Sequence, residues 1–192
     1  MQTPHFEGML HRFLALQERL ATKKNIIVLA LIYPIFPLVL LPLVTDTGSA
    51  PILDLYAFYN AEVVSQVLSQ YDLYARESYI RGALTIDVIY PIYYSFSLSL
   101  VMTYVVRPRH PEISPIHWLR LLPFAMMLAD FAENILLVTI IAAWPELLET
   151  LANIAGYVTL TKWTVLATTV VTALVMAIQN YFHFRALNSS GH

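Results

Sequence analysis

Residues 118–144 read WLRLLPFAMMLADFAENILLVTIIAAW. The run is long and apolar enough to cross a bilayer, which takes roughly 20 residues of helix. It also carries Asp130 and Glu133 far from either end. Ionisable groups inside a bilayer are expensive, so they face a bundle interior or a wet cavity and have partners. This stretch therefore predicts two things together: a membrane span and a polar site enclosed by other spans.

Three further segments pass the same test, at 26–44, 79–106 and 151–182. Continuous apolar runs without strict alternation read as helices rather than barrel strands. Composition agrees. The 192 residues are 58% hydrophobic and 12% charged, against about 25% charged in soluble domains. A net charge of −2 gives no basic surface for nucleic acid. With no cysteine there are no disulfides, thiolate metal sites or thiol nucleophiles. The N-terminal stretch lacks the pattern of a cleaved signal, because polar residues 1–25 precede the first apolar run.

The expected fold is an all-α integral membrane protein of four transmembrane helices within residues 26–182. An N-terminal cytoplasmic interfacial helix (residues 1–25), an outer-face amphipathic helix (51–74) and a cytoplasmic tail (183–192) complete it. In 1–25, Phe6, Met9, Leu10, Phe13, Leu16 and Leu20 fall largely on one helical face. In 51–74, Tyr56, Tyr59, Val63, Val67, Tyr71 and Tyr74 recur every three or four residues, as in a helix lying over the bundle mouth. Eight of the eleven Lys and Arg residues fall before the first span, around the 107–117 connection or after the fourth span. Both termini are therefore expected on the cytoplasmic side of an inner membrane.

The third span places Asp130, Glu133 and Asn134 at i, i+3 and i+4, on one face. Lys162 in the fourth span lies at about the same depth as Glu133, and short-looped neighbours run antiparallel, so the two are expected to meet. Asp87, Tyr90, Pro91 and Tyr94 share a face of the second span. Pro91 has no N–H, so the carbonyl of Asp87 needs a partner from elsewhere: water, a hydroxyl or a ligand. Pro34 and Pro37 beside Tyr33 are expected to bend the first span. Three acids against one lysine favour a protonated acid. Asp130 is the deepest, with no base evident at its level, and is expected to hold that proton.

These residues give the expected site. Asp87 or Asp130 would move a proton, while Glu133 and Lys162 would set the field. Tyr90, Tyr94, Asn134, Thr159, Tyr33 and Arg81 would contact ligand, with Arg81 folding inward or outward. No metal or cofactor is expected. The histidines (His5, His11, His110, His117, His183, His192) sit away from the acids, and Lys162 would repel a cation. Phosphate loops, dinucleotide fingerprints and nucleophile elbows are absent.

The pattern Asp87-x3-Pro91-x2-Tyr94 followed by Asp130-x2-Glu133-Asn134 resembles that of small uncharacterised bacterial four-span membrane proteins, a likeness that brings no activity with it. In architecture the chain is also similar to the EXPERA group, which includes sterol isomerases and a four-span sterol-binding receptor, although that group's aromatic-rich acidic motif is not visible. This likeness implies a pocket for a flat or flexible amphiphile. The expected function is a pocket opening to the outer leaflet that binds a membrane lipid or isoprenoid-like molecule, with acid–base chemistry as its enzymatic form. Two alternatives stand beside it: a proton-coupled transporter subunit, acting as a homo-oligomer, and a non-catalytic scaffold or assembly factor.

Overall fold

The structure, a computed structural model, describes residues 4–107 and 115–189. The described residues are all-helical, without strands. Four helical stretches are long and apolar enough to cross a membrane: Lys23–Val44, Leu73–Val106, Trp118–Ala143 and Glu149–Ala186.

Prolines break the first stretch. Helix α2 (Lys23–Ile32) starts at Thr22, whose Oγ1 accepts from the Asn25 N–H at 3.2 Å. After Pro34 the backbone widens into a π-helical turn (Phe36–Leu40) and resumes as α3 (Leu41–Val44). Missing proline N–H groups account for the irregularity.

The second stretch was expected as one span over 79–106. It is instead two helices in sequence, α5 (Leu73–Ala83) and α6 (Ile86–Val106). The Thr85 Oγ1 donates to the Arg81 carbonyl at 2.6 Å at the break. At Gly82, α5 meets the chain end of the first stretch; a Cβ there would lie 1.8 Å from Thr45 Oγ1. The third stretch enters through a 3₁₀ turn (Pro115–Leu121) into α7 (Leu122–Ala143), with Pro123 in the first turn, where its missing N–H costs nothing. Helix α8 (Glu149–Ser189) has 41 residues. At 1.5 Å per residue it is about 60 Å long, twice a ~30 Å hydrocarbon core.

Helices α7 and α8 pack along their lengths, α6 packs on both, and the first stretch packs on α5 and α6. The first stretch stays largely uncovered, with Leu31, Leu38 and Leu43 exposed.

The expected helix over 51–74 is corrected. Residues 51–72 form a 3₁₀ turn (Leu53–Leu55), an extended stretch and a short helix α4 (Ala61–Leu68). Asn60 caps α4 by accepting from the Val63 N–H at 3.0 Å, so the helix begins there. Leu53, Tyr59, Val64, Val67, Leu68 and Tyr71 are buried against Leu137, Ile140 and Ala155. The tyrosines therefore do not form one stripe on one helix.

Residues 4–20 form the expected helix, α1 (Pro4–Leu20), but it is docked on the bundle. Phe13 meets the Phe124 ring, Gln17 donates to Ser99 Oγ, and Glu18 pairs with buried Arg120 at 3.0 Å. The side chains of Phe6, Met9, Leu10 and His11 lie outside the described residues, as do those of His5, His110, His117 and His192.

Candidate functional site

Lys162 is the centre of the polar interior. Its ammonium lies 2.5 Å from Glu133 Oε2, 3.2 Å from Asp130 Oδ1 and 3.4 Å from the Asp54 carbonyl. The ammonium thus hydrogen-bonds Asp130 and the Asp54 carbonyl and forms a close ion pair with Glu133. The expected Glu133–Lys162 contact is present. The expectation that Asp130 lacks a base is corrected: a flexible lysine reaches both carboxylates, which stand one turn apart on α7.

Each acid is held a second time. Asp130 Oδ2 accepts from the Tyr94 hydroxyl at 2.7 Å. Glu133, 0% exposed, accepts at Oε1 from the Tyr59 hydroxyl at 3.3 Å and from the Thr159 hydroxyl. Asn134 fills a backbone role: its amide nitrogen donates to the Asp87 carbonyl at 3.2 Å. That is the carbonyl Pro91 leaves without its helical partner.

Residues 53–61 form a strap that descends along α8. The Ala61 N–H donates to Asn153 Oδ1 at 2.9 Å. Next, the Tyr59 backbone rests on Gly156, where a Cβ would lie 1.7 Å from the Tyr59 oxygen. The Tyr56 carbonyl accepts from Trp163 Nε1 at 2.8 Å, and the Asp54 carbonyl from Lys162. From Asn153 to Trp163 is about 15 Å of helix. The strap lacks helical hydrogen bonds of its own along this stretch, and Asn153, Trp163 and Lys162 supply partners for its backbone.

The strap brings in a carboxyl that the sequence reading missed. Asp54 Oδ1 is sealed from solvent without a hydrogen-bond partner, while the residue as a whole keeps a partly exposed edge. Burial pushes the Asp54 carboxyl above its ordinary range; the Lys162 ammonium pulls it back down and Asp130 adds to the rise. Burial, with Glu133 beside it, also raises the Tyr59 phenol, so Tyr59 remains a neutral donor. The signal for Asp54 was present: an acid flanked by Leu53, Leu55 and Tyr56, the kind of context that singled out Asp87.

A cavity of about 480 Å³ lies beside this cluster. Its polar end is lined by Asp54, Asp87, Asp130 and Lys162, with Tyr33, Tyr90 and Tyr94 next to them. The rest is apolar, running past Leu98 and Val101 on α6 and Leu166 and Val170 on α8. From Asp87 to Val101 is about 20 Å along the helix. The wall opposite comes from the first stretch, through Ile26, Leu29 and Ala30. Phe36 stacks on Tyr90 and Tyr93 at ring separations of 5.2 and 4.8 Å and ties that wall to α6.

Of the expected site residues, Asp87, Asp130, Lys162, Tyr33, Tyr90 and Tyr94 line the cavity. Glu133, Asn134 and Thr159 are buried behind it. Arg81 is exposed on α5 and takes no part in the cavity wall, so it does not offset the acids there. Among the described residues no group of three His, Asp or Glu side chains is arranged to hold a metal ion.

Helices and site together describe an all-α protein with four potential membrane spans and a carboxyl-rich interior cavity. No protein-family model matches the chain, and no curated protein or solved structure matches it either.

Proposed function

We propose that this chain is an integral membrane protein that binds a lipid or isoprenoid-like amphiphile in the cavity beside Lys162. Its termini face the cytoplasm of a bacterial-type inner membrane, as the distribution of Lys and Arg favours. The observation that carries this reading is the cavity itself: about 480 Å³, acidic at one end and apolar along the rest. It occupies the angle between the exposed first stretch and α8, where an acyl or isoprenoid chain arrives from the side. The strap covers the polar end, so the head group enters by the same lateral route.

The arrangement also redistributes the expected roles. Lys162, Asp130 and Glu133 hold one another and fix the local field. Asp54 and Asp87 are the cavity carboxyls outside that ion-pair cluster, so proton transfer to a bound molecule falls to them.

The test is mass spectrometry of lipids retained after purification in mild detergent, comparing wild type with Ala30→Trp, which fills the cavity. One amphiphile enriched over bulk lipid in wild type and lost in the variant is the expected result. The same bulk lipids in both would overturn the proposal.

A further inference from the structure

We infer that Asp54 is the head-group-recognising residue of the cavity. It acts as a neutral carboxylic acid that donates its proton to an uncharged oxygen, the hydroxyl or carbonyl of a single-chain amphiphile. The cavity thereby favours neutral heads over anionic ones. This rests on the amphiphile-binding reading and names its ligand class.

Three observations carry it. Asp54 lines the polar end of the cavity, yet its Oδ1 has no partner in the protein. A buried, unpaired carboxylate is costly, and carrying a proton removes most of that cost. The lysine beside it is already committed to Asp130, Glu133 and the Asp54 carbonyl. An anionic head would meet Asp87 and Asp130 with no free cation. A neutral oxygen escapes that repulsion and can accept from the edge of a protonated Asp54 that stays accessible, Oδ1 itself being sealed.

The groups that act electrostatically on Asp54 are Lys162 from α8, Asp130 and Glu133 from α7, Asp87 from α6, and Tyr59, Tyr71 and Tyr79. Among these only Lys162 favours the ionised form, and Asp130 and Glu133 already oppose it.

Trp163 lines the cavity and reports directly. In a Trp118→Phe, Trp144→Phe background it is the sole tryptophan. Brominated hexadecanol and brominated palmitic acid are titrated into the protein in nanodiscs while Trp163 quenching is followed. The alcohol should quench saturably and bind at least about tenfold more tightly than the acid, and Asp54→Ala should weaken it about tenfold, the size of one buried hydrogen bond. Asp54→Asn retains an N–H donor and should stay within about threefold of wild type. Affinity for the alcohol should fall as pH rises in wild type and stay flat in Asp54→Asn. Equal binding of both probes, stronger binding of the acid, or an unchanged Asp54→Ala overturns the assignment and leaves amphiphile binding standing. Quenching by neither probe removes the amphiphile reading, and this assignment falls with it.

Discussion

The amide nitrogen of Asn134 lies 3.2 Å from the backbone oxygen of Asp87, the oxygen that Pro91 deprives of its helical donor. A defect in one helix is thus repaired by a side chain from the next. The repair fixes the register of α6 against α7, and with it the position of Asp87 opposite Asp130.

This relationship has a double-mutant test. Asn134→Ala leaves a buried carbonyl unpaired and should cost about 1–3 kcal/mol in detergent unfolding. Pro91→Ala restores an N–H to the helix. In the Asn134→Ala background it should recover a measurable part of that loss, and the two changes should be non-additive. Strict additivity would show that Asn134 does not repair the α6 backbone.

Lys162 pairs with two carboxylates at once. Lys162→Met should destabilise the fold by about 3–5 kcal/mol, because buried charges lose their counter-ion. Adding Asp130→Asn and Glu133→Gln should restore much of the loss. Thermal unfolding of the single and triple variants in the same detergent decides the matter; a triple variant no better than the single would contradict the pairing.

Gly156 is where the strap touches α8. Gly156→Ala puts a methyl group into the Tyr59 carbonyl and should cost about 1–3 kcal/mol as overpacking. It should also loosen the Tyr56–Trp163 hydrogen bond. The accompanying sign is a change in Trp163 emission in the single-tryptophan background. Unaltered emission and stability would mean that the strap does not rest there.

Asp54 makes stability depend on pH in the direction opposite to most carboxylates. Its folded pKa is raised by burial, so the folded state binds the proton more tightly than the unfolded state. Its contribution is fully present below the unfolded value of about 4 and is lost as pH rises through the folded value. Asp54→Asn should match wild type most closely at acid pH and become progressively more stable than it at higher pH. Melting temperatures of the two proteins across a pH series measure the gap. A gap that shrinks with rising pH would refute a raised pKa.

Much of this arrangement was legible in the residues. The four apolar runs mark four helical stretches, because length and hydropathy suffice for that. The Glu133–Lys162 pair follows from helical rise on antiparallel neighbours. The second pairing, with Asp130, was hidden because it depends on how far a lysine reaches, which spacing does not encode. Residues 51–74 misled for a different reason. Tyrosines three or four apart suit one helical face, but here Tyr59 is buried from the strap and Tyr71 from the turn between α4 and α5, while Tyr74 at the start of α5 is exposed. The Asn60 cap marks where the helix begins, and Asp54 follows the buried Leu53 in a turn packed on the bundle; both signals are local and weaker than the periodicity. Arg81 was placed near the site on the assumption of an unbroken span, and the break at Leu84–Thr85 ends that assumption.

The central claim is that a single-chain amphiphile occupies the space between the first stretch and α8 with its head at the acids. Photolabelling with a diazirine-bearing hexadecanol in nanodiscs, followed by peptide mapping, tests it most directly. Labels on Leu29, Leu98, Leu166 and Val170 should be displaced by excess unlabelled hexadecanol, while labels on exposed Leu31 and Leu38 should not. Equal, non-displaceable labelling of both sets would contradict an occupied cavity.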